Sequence, residues 1–230
     1  MTVQALQMRQ PHRRAPDSES AVLLLVTACS TVQFHMLAWI DLEATGLIAT
    51  EHAVLEVAAI VTDDQLQEVD RFQRVIYWEP AKRLTHLGNN STDDQFEEAA
   101  TSMRIDPVVV KLHARNGLWA EAATSSHSLT SIDTQLADFL ARVSKGQDAQ
   151  RAQIAGSSIW LDRSFMSISL PRALAQLHYK CVDVTTLNEL ARRFWPRLHQ
   201  ALPSKREIHR AMPDIEDSLE LCRYYATHVS

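Results

Sequence analysis

Apolar residues follow two periods along the chain. Met36 to Ile40 is a continuous apolar run leading into Asp41-Leu42-Glu43, and Val54 to Thr62 (Val-Leu-Glu-Val-Ala-Ala-Ile-Val-Thr) is a second run, rich in β-branched residues and followed by Asp63-Asp64. Both runs have the length and composition of strands. Arg71-Phe72-Gln73-Arg74-Val75-Ile76-Tyr77 alternates and predicts a third strand within Gln65 to Trp78. Short connections make the three an antiparallel meander. Periodicity then fades over 79–102, where Pro80, Gly88, Asn89, Asn90, Ser91 and a cluster of acids predict a loop insertion.

Helical spacing returns at Pro107 to Arg115, closed by Asn116-Gly117. Ile132, Leu136, Phe139, Leu140 and Val143 mark one face of a longer helix over Ser131 to Val143. A short strand is expected over Ala152 to Gly156, then a helix from near Trp160 carrying Asp162, Phe165 and Met166. Lys180 to Val184 predicts another strand, with Thr185 or Thr186 capping a helix that stops at Pro196. Pro213 is well placed to open the last helix, over Asp214 to Tyr225. The order β-β-β-α-β-α-β-α-α implies an α/β fold, a mixed sheet with helices on its faces.

Composition narrows the possibilities. The 230 residues suit one domain with extensions, and 46% hydrophobic with 22% charged residues is ordinary for a globular chain. A formal net charge of −5 supplies no global basic field, which argues against a protein that coats long nucleic acid. Three cysteines (Cys29, Cys181, Cys222) without a Cys-x-x-Cys pair give neither a disulfide framework nor a zinc site, so a reducing cytoplasm is expected. No run of apolar residues is long enough to span a membrane. Arg9, Arg13 and Arg14 followed by Ala21 to Ala28 and Cys29 have the outline of a lipoprotein signal and would imply export. Asp17 and Glu19 and the shortness of the run weigh against it, and residues 1–35 are read as an extension upstream of a domain spanning 36–230.

Asp41 and Glu43 are two apart on an expected strand, so both carboxylates point to the same side. Such a pair repels and is costly to bury unless neutralised, and an oxygen-only donor set suits Mg²⁺ or Mn²⁺. Taken singly, Asp162 reads as an early-helix acid, Asp214 as a residue after a helix-opening Pro, and His209 as a loop residue among Lys205, Arg206 and Arg210. Their weight lies in the combination.

Asp41-Leu-Glu-Ala-Thr-Gly-Leu47 resembles the first motif of the DEDD exonucleases. Leu55-Glu56-Val57-Ala58 with Val61-Thr62-Asp63, His113-Ala-Arg-Asn-Gly-Leu118, Ala155-Gly-Ser-Ser-Ile-Trp-Leu-Asp-Arg-Ser-Phe165, His178-Tyr-Lys-Cys-Val-Asp-Val-Thr-Thr-Leu187, Glu189-Leu-Ala-Arg-Arg193, His209-Arg-Ala-Met-Pro-Asp214 and Tyr224-Tyr225 narrow the resemblance to the oligoribonuclease family over residues 36 to 226. The resemblance implies an RNase H-like fold, a homodimer, and 3′-to-5′ hydrolysis of short RNA to nucleoside monophosphates. It implies Asp41, Glu43, Asp162 and Asp214 as ligands of two divalent ions, and His209 as general base. It also implies Leu47 as a wedge between bases, His113 in a base pocket, Tyr179 contributed across a dimer, and Ser158, Lys180 and Thr185 at the substrate's terminal 5′ phosphate.

Several positions depart from the family pattern. Ala44 replaces a Met beside the metal ligands, Ser157 an Asn, Trp160 a small residue before Asp162, Val108 a Trp, and Lys180 an Arg whose bidentate fork becomes a point charge. These put a dinucleotide preference in question. The alternatives are an exonuclease trimming longer RNA or DNA ends and a dimeric nucleotide-binding protein without activity.

Overall fold

The structure, a computed structural model, describes residues 36–143, 151–206 and 208–228. The N-terminal extension and Cys29 lie outside the described residues, as does most of the link after Val143.

Strands β1 (Leu37–Ala44), β2 (Val54–Thr62) and β3 (Glu68–Val75) form the expected antiparallel meander. β4 (Gln153–Gly156) pairs parallel with β1, and β5 (His178–Asp183) pairs parallel with β4, giving a five-stranded mixed sheet in the order β3-β2-β1-β4-β5. The helices are α1 (Asp93–Met103), α2 (Pro107–Arg115), α3 (Leu118–Thr124), α4 (Leu129–Val143), α5 (Trp160–Ser169), α6 (Pro171–Leu174), α7 (Val184–Phe194), α8 (Pro196–Gln200) and α9 (Ala211–His228).

Alternation along β1 divides the core. Ala38 and Ile40, with Val57, Ala59 and Val61 of β2, pack beneath Ile132, Leu136 and Leu140 of α4 and Phe165 and Met166 of α5. Trp39, with Ala58 and Ile60, packs against Val184 of α7 and Ile215 and Leu219 of α9. The Trp39 indole N–H donates to Thr62 Oγ1 at 2.9 Å, which lets the ring be fully buried. All nine residues of β2 are buried, Glu56 among them. Gly156 permits the close approach of β4 to β1, since a Cβ there would lie 2.9 Å from the Ile40 carbonyl oxygen.

The structure corrects the reading of 79–102 as a loop. Glu79–Arg83 is a 3-10 turn, and α1 occupies the second half of the segment. The local signal is a capping box: Thr92 Oγ1 accepts from the Gln95 N–H while the Gln95 side chain accepts from the Thr92 N–H. Phe96 and Ala100, four apart, then join Ala81, Leu84, Leu87, Val110, Leu118 and Trp119 in a second core beside the sheet. Helix α3 in the same core was not expected from the sequence. Other boundaries shift as well. Asp183, rather than Thr185 or Thr186, caps α7, its side chain accepting from the Thr185 N–H at 2.9 Å. Helix α9 begins at Ala211, which places Pro213 inside the first turn.

Phe96→Ala should therefore lower unfolding free energy by about 3–5 kcal/mol, the usual cost of emptying a buried phenyl site. Urea unfolding checks this; a loss below about 1 kcal/mol would show that α1 does not belong to the folded core.

Candidate active site

β1, β4 and β5 run parallel and end together, and the acids gather at their carboxyl ends. The register pairs Asp41 with Ala58 and Glu43 with Glu56, so both acids face α9. One carboxylate oxygen each from Asp41, Glu43 and Asp214 lies within 4.8 Å of the others. Asp162, near the start of α5, stands outside this trio but is tied to it: its Oδ1 accepts at 2.9 Å from the N–H of Leu42, the residue between Asp41 and Glu43.

Burial and mutual repulsion dominate the electrostatics. The Asp41 carboxyl is held well above the usual carboxylate range, first by burial, then by Asp162, Glu43 and Asp214, with Lys205 opposing. Glu43 is pushed up to about 8 by burial, with Asp214 and Glu56 adding to the shift and Arg210 reducing it. Asp162 rises to about 7, again chiefly through burial, while the Leu42 N–H works the other way. Asp214 Oδ1 is buried without a hydrogen bond, and the Lys205 ammonium lies 3.4 Å from it. Converging desolvated carboxylates with an orphan oxygen form a donor set suited to hard divalent cations.

His209 precedes α9 in the left-handed region, at φ 53°, with its side chain exposed. The Asn116 side-chain amide donates to its carbonyl. The next residue, Arg210, donates to both oxygens of buried Glu56 (Nε at 2.8 Å, Nη2 at 3.0 Å) and to Glu121 at 2.8 Å. The segment between His209 and Asp214 is thus pinned to β2 and α3. His209 lines a pocket of about 490 Å³ with Val108, Lys111, Leu112, Arg115, Asn116 and Ile208.

The remaining residues expected at the site are placed unevenly. Leu47 is 71% exposed after β1, and Tyr179 is 73% exposed on β5, as free side chains able to meet another molecule. His113 is instead 1% exposed: Nε2 lies 3.1 Å from the Ala44 carbonyl, and the ring meets Trp119 edge-on at 5.1 Å. Burial lowers its pKa to about 4, so the ring is neutral and Nε2–H donates to Ala44. It supports the end of β1 through the Ala44 carbonyl, with little surface of its own exposed. Ser158 and Thr185 do come together, at 3.2 Å between hydroxyls, and the Ser158 N–H donates to both Thr185 Oγ1 and Asp183 Oδ1. Lys180 is exposed nearby in sequence on β5. The Asp183 carboxylate at the centre of this cluster was not singled out from the sequence, nor were Arg210, Glu56 and Asn116 given roles. An acid inside the apolar run of β2 was the one available signal, since it requires a buried cation. Of the departures from the family pattern, Ser157 is accommodated by a 2.8 Å hydroxyl contact with Ser218 of α9, while Trp160 and Val108 are exposed.

Residues 38–222 match the family model described as exonuclease. Oligoribonucleases of Corynebacterium efficiens and Mycobacterium ulcerans are 36% and 33% identical to the chain, over 82% of its length and 76% and 79% of theirs. Among solved structures, Escherichia coli exonuclease I in complex with a dT13 oligonucleotide superimposes with a TM-score of 0.57 at 13% identity. That match covers 84% of this chain but only 41% of exonuclease I, and its likeness is one of fold.

The carboxyl shifts set a pH dependence. Glu43 and Asp162 have folded pKa values of about 8 and about 7, above their ordinary values, so the folded chain binds more protons than the unfolded one and stability falls as pH rises. His113, with its depressed pKa, has the opposite effect, but only below its ordinary value of 6.5. Between pH 6.5 and 8 the melting temperature in EDTA should therefore decline. Added Mn²⁺ should reverse the decline by stabilising the charged carboxylates, and an identical profile with and without Mn²⁺ would contradict a metal site here.

Proposed function

The chain belongs to the oligoribonucleases of the exonuclease family, and from that premise we propose that it is a 3′-to-5′ exoribonuclease that degrades short RNA to nucleoside 5′-monophosphates. The observation that carries this reading is the convergence of Asp41, Glu43 and Asp214, with Asp162 bonded to the backbone between the first two. Asp41, Glu43, Asp162 and Asp214 would hold two divalent cations, Mg²⁺ or Mn²⁺. When bound, such cations supply Lewis acidity, neutralising the phosphate and favouring ionisation of water.

The chain's own groups do the rest. His209 accepts the proton of the attacking water as the phosphorus–O3′ bond breaks, and Arg210 and Asn116 hold the backbone that presents it. Leu47 stands ready to wedge against a base, since an exposed leucine beside the first two acids has no core to fill. Ser158, Thr185 and Lys180 contact the far end of the substrate. The Asp183 carboxylate already occupies the Ser158 and Thr185 N–H groups, so the grip on a terminal phosphate falls to the hydroxyls and Lys180. Two copies pair so that Tyr179, exposed on the outer strand β5, reaches the partner's site.

The complex of exonuclease I with a dT13 oligonucleotide favours one second reading, hydrolysis of DNA 3′ ends by the same acids. The discriminating experiment incubates the protein and Mn²⁺ with 5′-labelled RNA of two to seven nucleotides, beside DNA of the same lengths. Mononucleotide release from RNA should fall by more than about a hundredfold in Asp41→Asn. Faster turnover of DNA would favour the second reading, and no turnover by a folded protein would exclude both.

A further inference from the structure

Two cations offset the repulsion within the acid cluster, and they are held differently. Arg210 is fixed by Glu56 and Glu121, and its side chain is 15% exposed. Lys205 is 61% exposed and approaches Asp214 Oδ1 at 3.4 Å without a hydrogen bond; its ammonium makes no other ion pair among the described residues. The backbone that carries it is anchored next door. The Arg206 N–H donates to Asp217 at 3.0 Å, and the Arg206 guanidinium bonds Asp217 at 2.6 Å, Glu216 at 3.1 Å and the Pro213 carbonyl at 3.0 Å. Lys205 is therefore a point charge on a flexible stem, held at the rim of the acids by a fixed base.

From this geometry we infer that Lys205 is a displaceable counter-ion: it neutralises Asp214 before metal arrives, and when metal takes the carboxylates its ammonium turns to the substrate phosphate. Three carboxylate oxygens crowd within 4.8 Å of one another, and the Lys205 ammonium, 3.4 Å from Asp214 Oδ1, is the exposed cation at their rim. A divalent ion among the same oxygens repels the ammonium, and the exposed stem lets it swing outward without unfolding anything. A phosphodiester entering the site brings the negative charge that the displaced ammonium then lacks. No bond is made or broken by Lys205, so it is a phosphate-contacting residue and takes no part in proton transfer.

The assignment rests on the reading of the acids as metal ligands, and the test separates the two. Mn²⁺ binding is measured by calorimetry in the full chain, followed by adenosine 5′-monophosphate binding in saturating Mn²⁺, for wild type, Lys205→Met, Lys205→Arg and the charge control Lys82→Met. In Lys205→Met, Mn²⁺ should bind about fivefold tighter, as expected on removing a competing ion pair of this exposure. The monophosphate should bind about tenfold weaker for loss of a charged contact. Lys205→Arg should restore the monophosphate affinity most of the way, and Lys82→Met should change neither value. A wild type that binds no Mn²⁺ overturns the metal-site reading and this assignment with it. A wild type that binds Mn²⁺ while Lys205→Met leaves either affinity unchanged overturns the assignment alone.

Discussion

The site depends on how the chain handles two glutamates facing each other across β1 and β2. Glu43 and Glu56 are register partners, so their side chains leave the sheet on one face with little water to separate them. Arg210 resolves the conflict by forking onto Glu56 and leaving Glu43 to the acid cluster. A buried carboxylate with its partner removed is strongly destabilising, whereas the satisfied pair adds little net stability. Its value is positional: Gln73 at 2.7 Å and the Ala211 N–H at 3.3 Å complete the bonding of Glu56 and fix where α9 begins. Everything on that helix inherits the placement, Asp214 included.

The same logic explains where backbone strain is found. Ser158 and His209 are two of the four described non-glycine residues with positive φ, and each lies directly beside the acids or the turn leading to them. Left-handed backbone in such residues costs of the order of 1–3 kcal/mol and persists only when its surroundings over-determine it. Here the bonds are visible: Asp183 and Thr185 hold the Ser158 N–H, and Asn116 holds the His209 carbonyl. Both residues are thereby kept out of regular helix, free to present side chains to the space between the elements.

Much of this was legible in the sequence. The meander, the mixed sheet and the amphipathic face of α4 follow from periodicity. Asp41 and Glu43 declare themselves because two carboxylates at a strand end have no structural reason to be there. The legibility fails where a signal is short or shared. Phe96 and Ala100 form too brief a stripe to stand out among acids, and the Thr92–Gln95 capping box was the cue that could have placed α1. The burial of His113 against Trp119 was not legible either, because sequence does not distinguish an exposed imidazole from a buried neutral donor. Asp183 was hidden because a cap on a following helix and a hub between loops look identical in one dimension.

The Glu56–Arg210 pair also has a consequence in time. It joins residues 154 apart in sequence, so nearly the whole folded chain lies between its halves. The contacts within the meander are local and its loops short. Its buried glutamate then waits for an arginine not yet synthesised, and the last of the four acids arrives on the same stretch. A nascent chain is in this way an incomplete nuclease until its C-terminal helix docks.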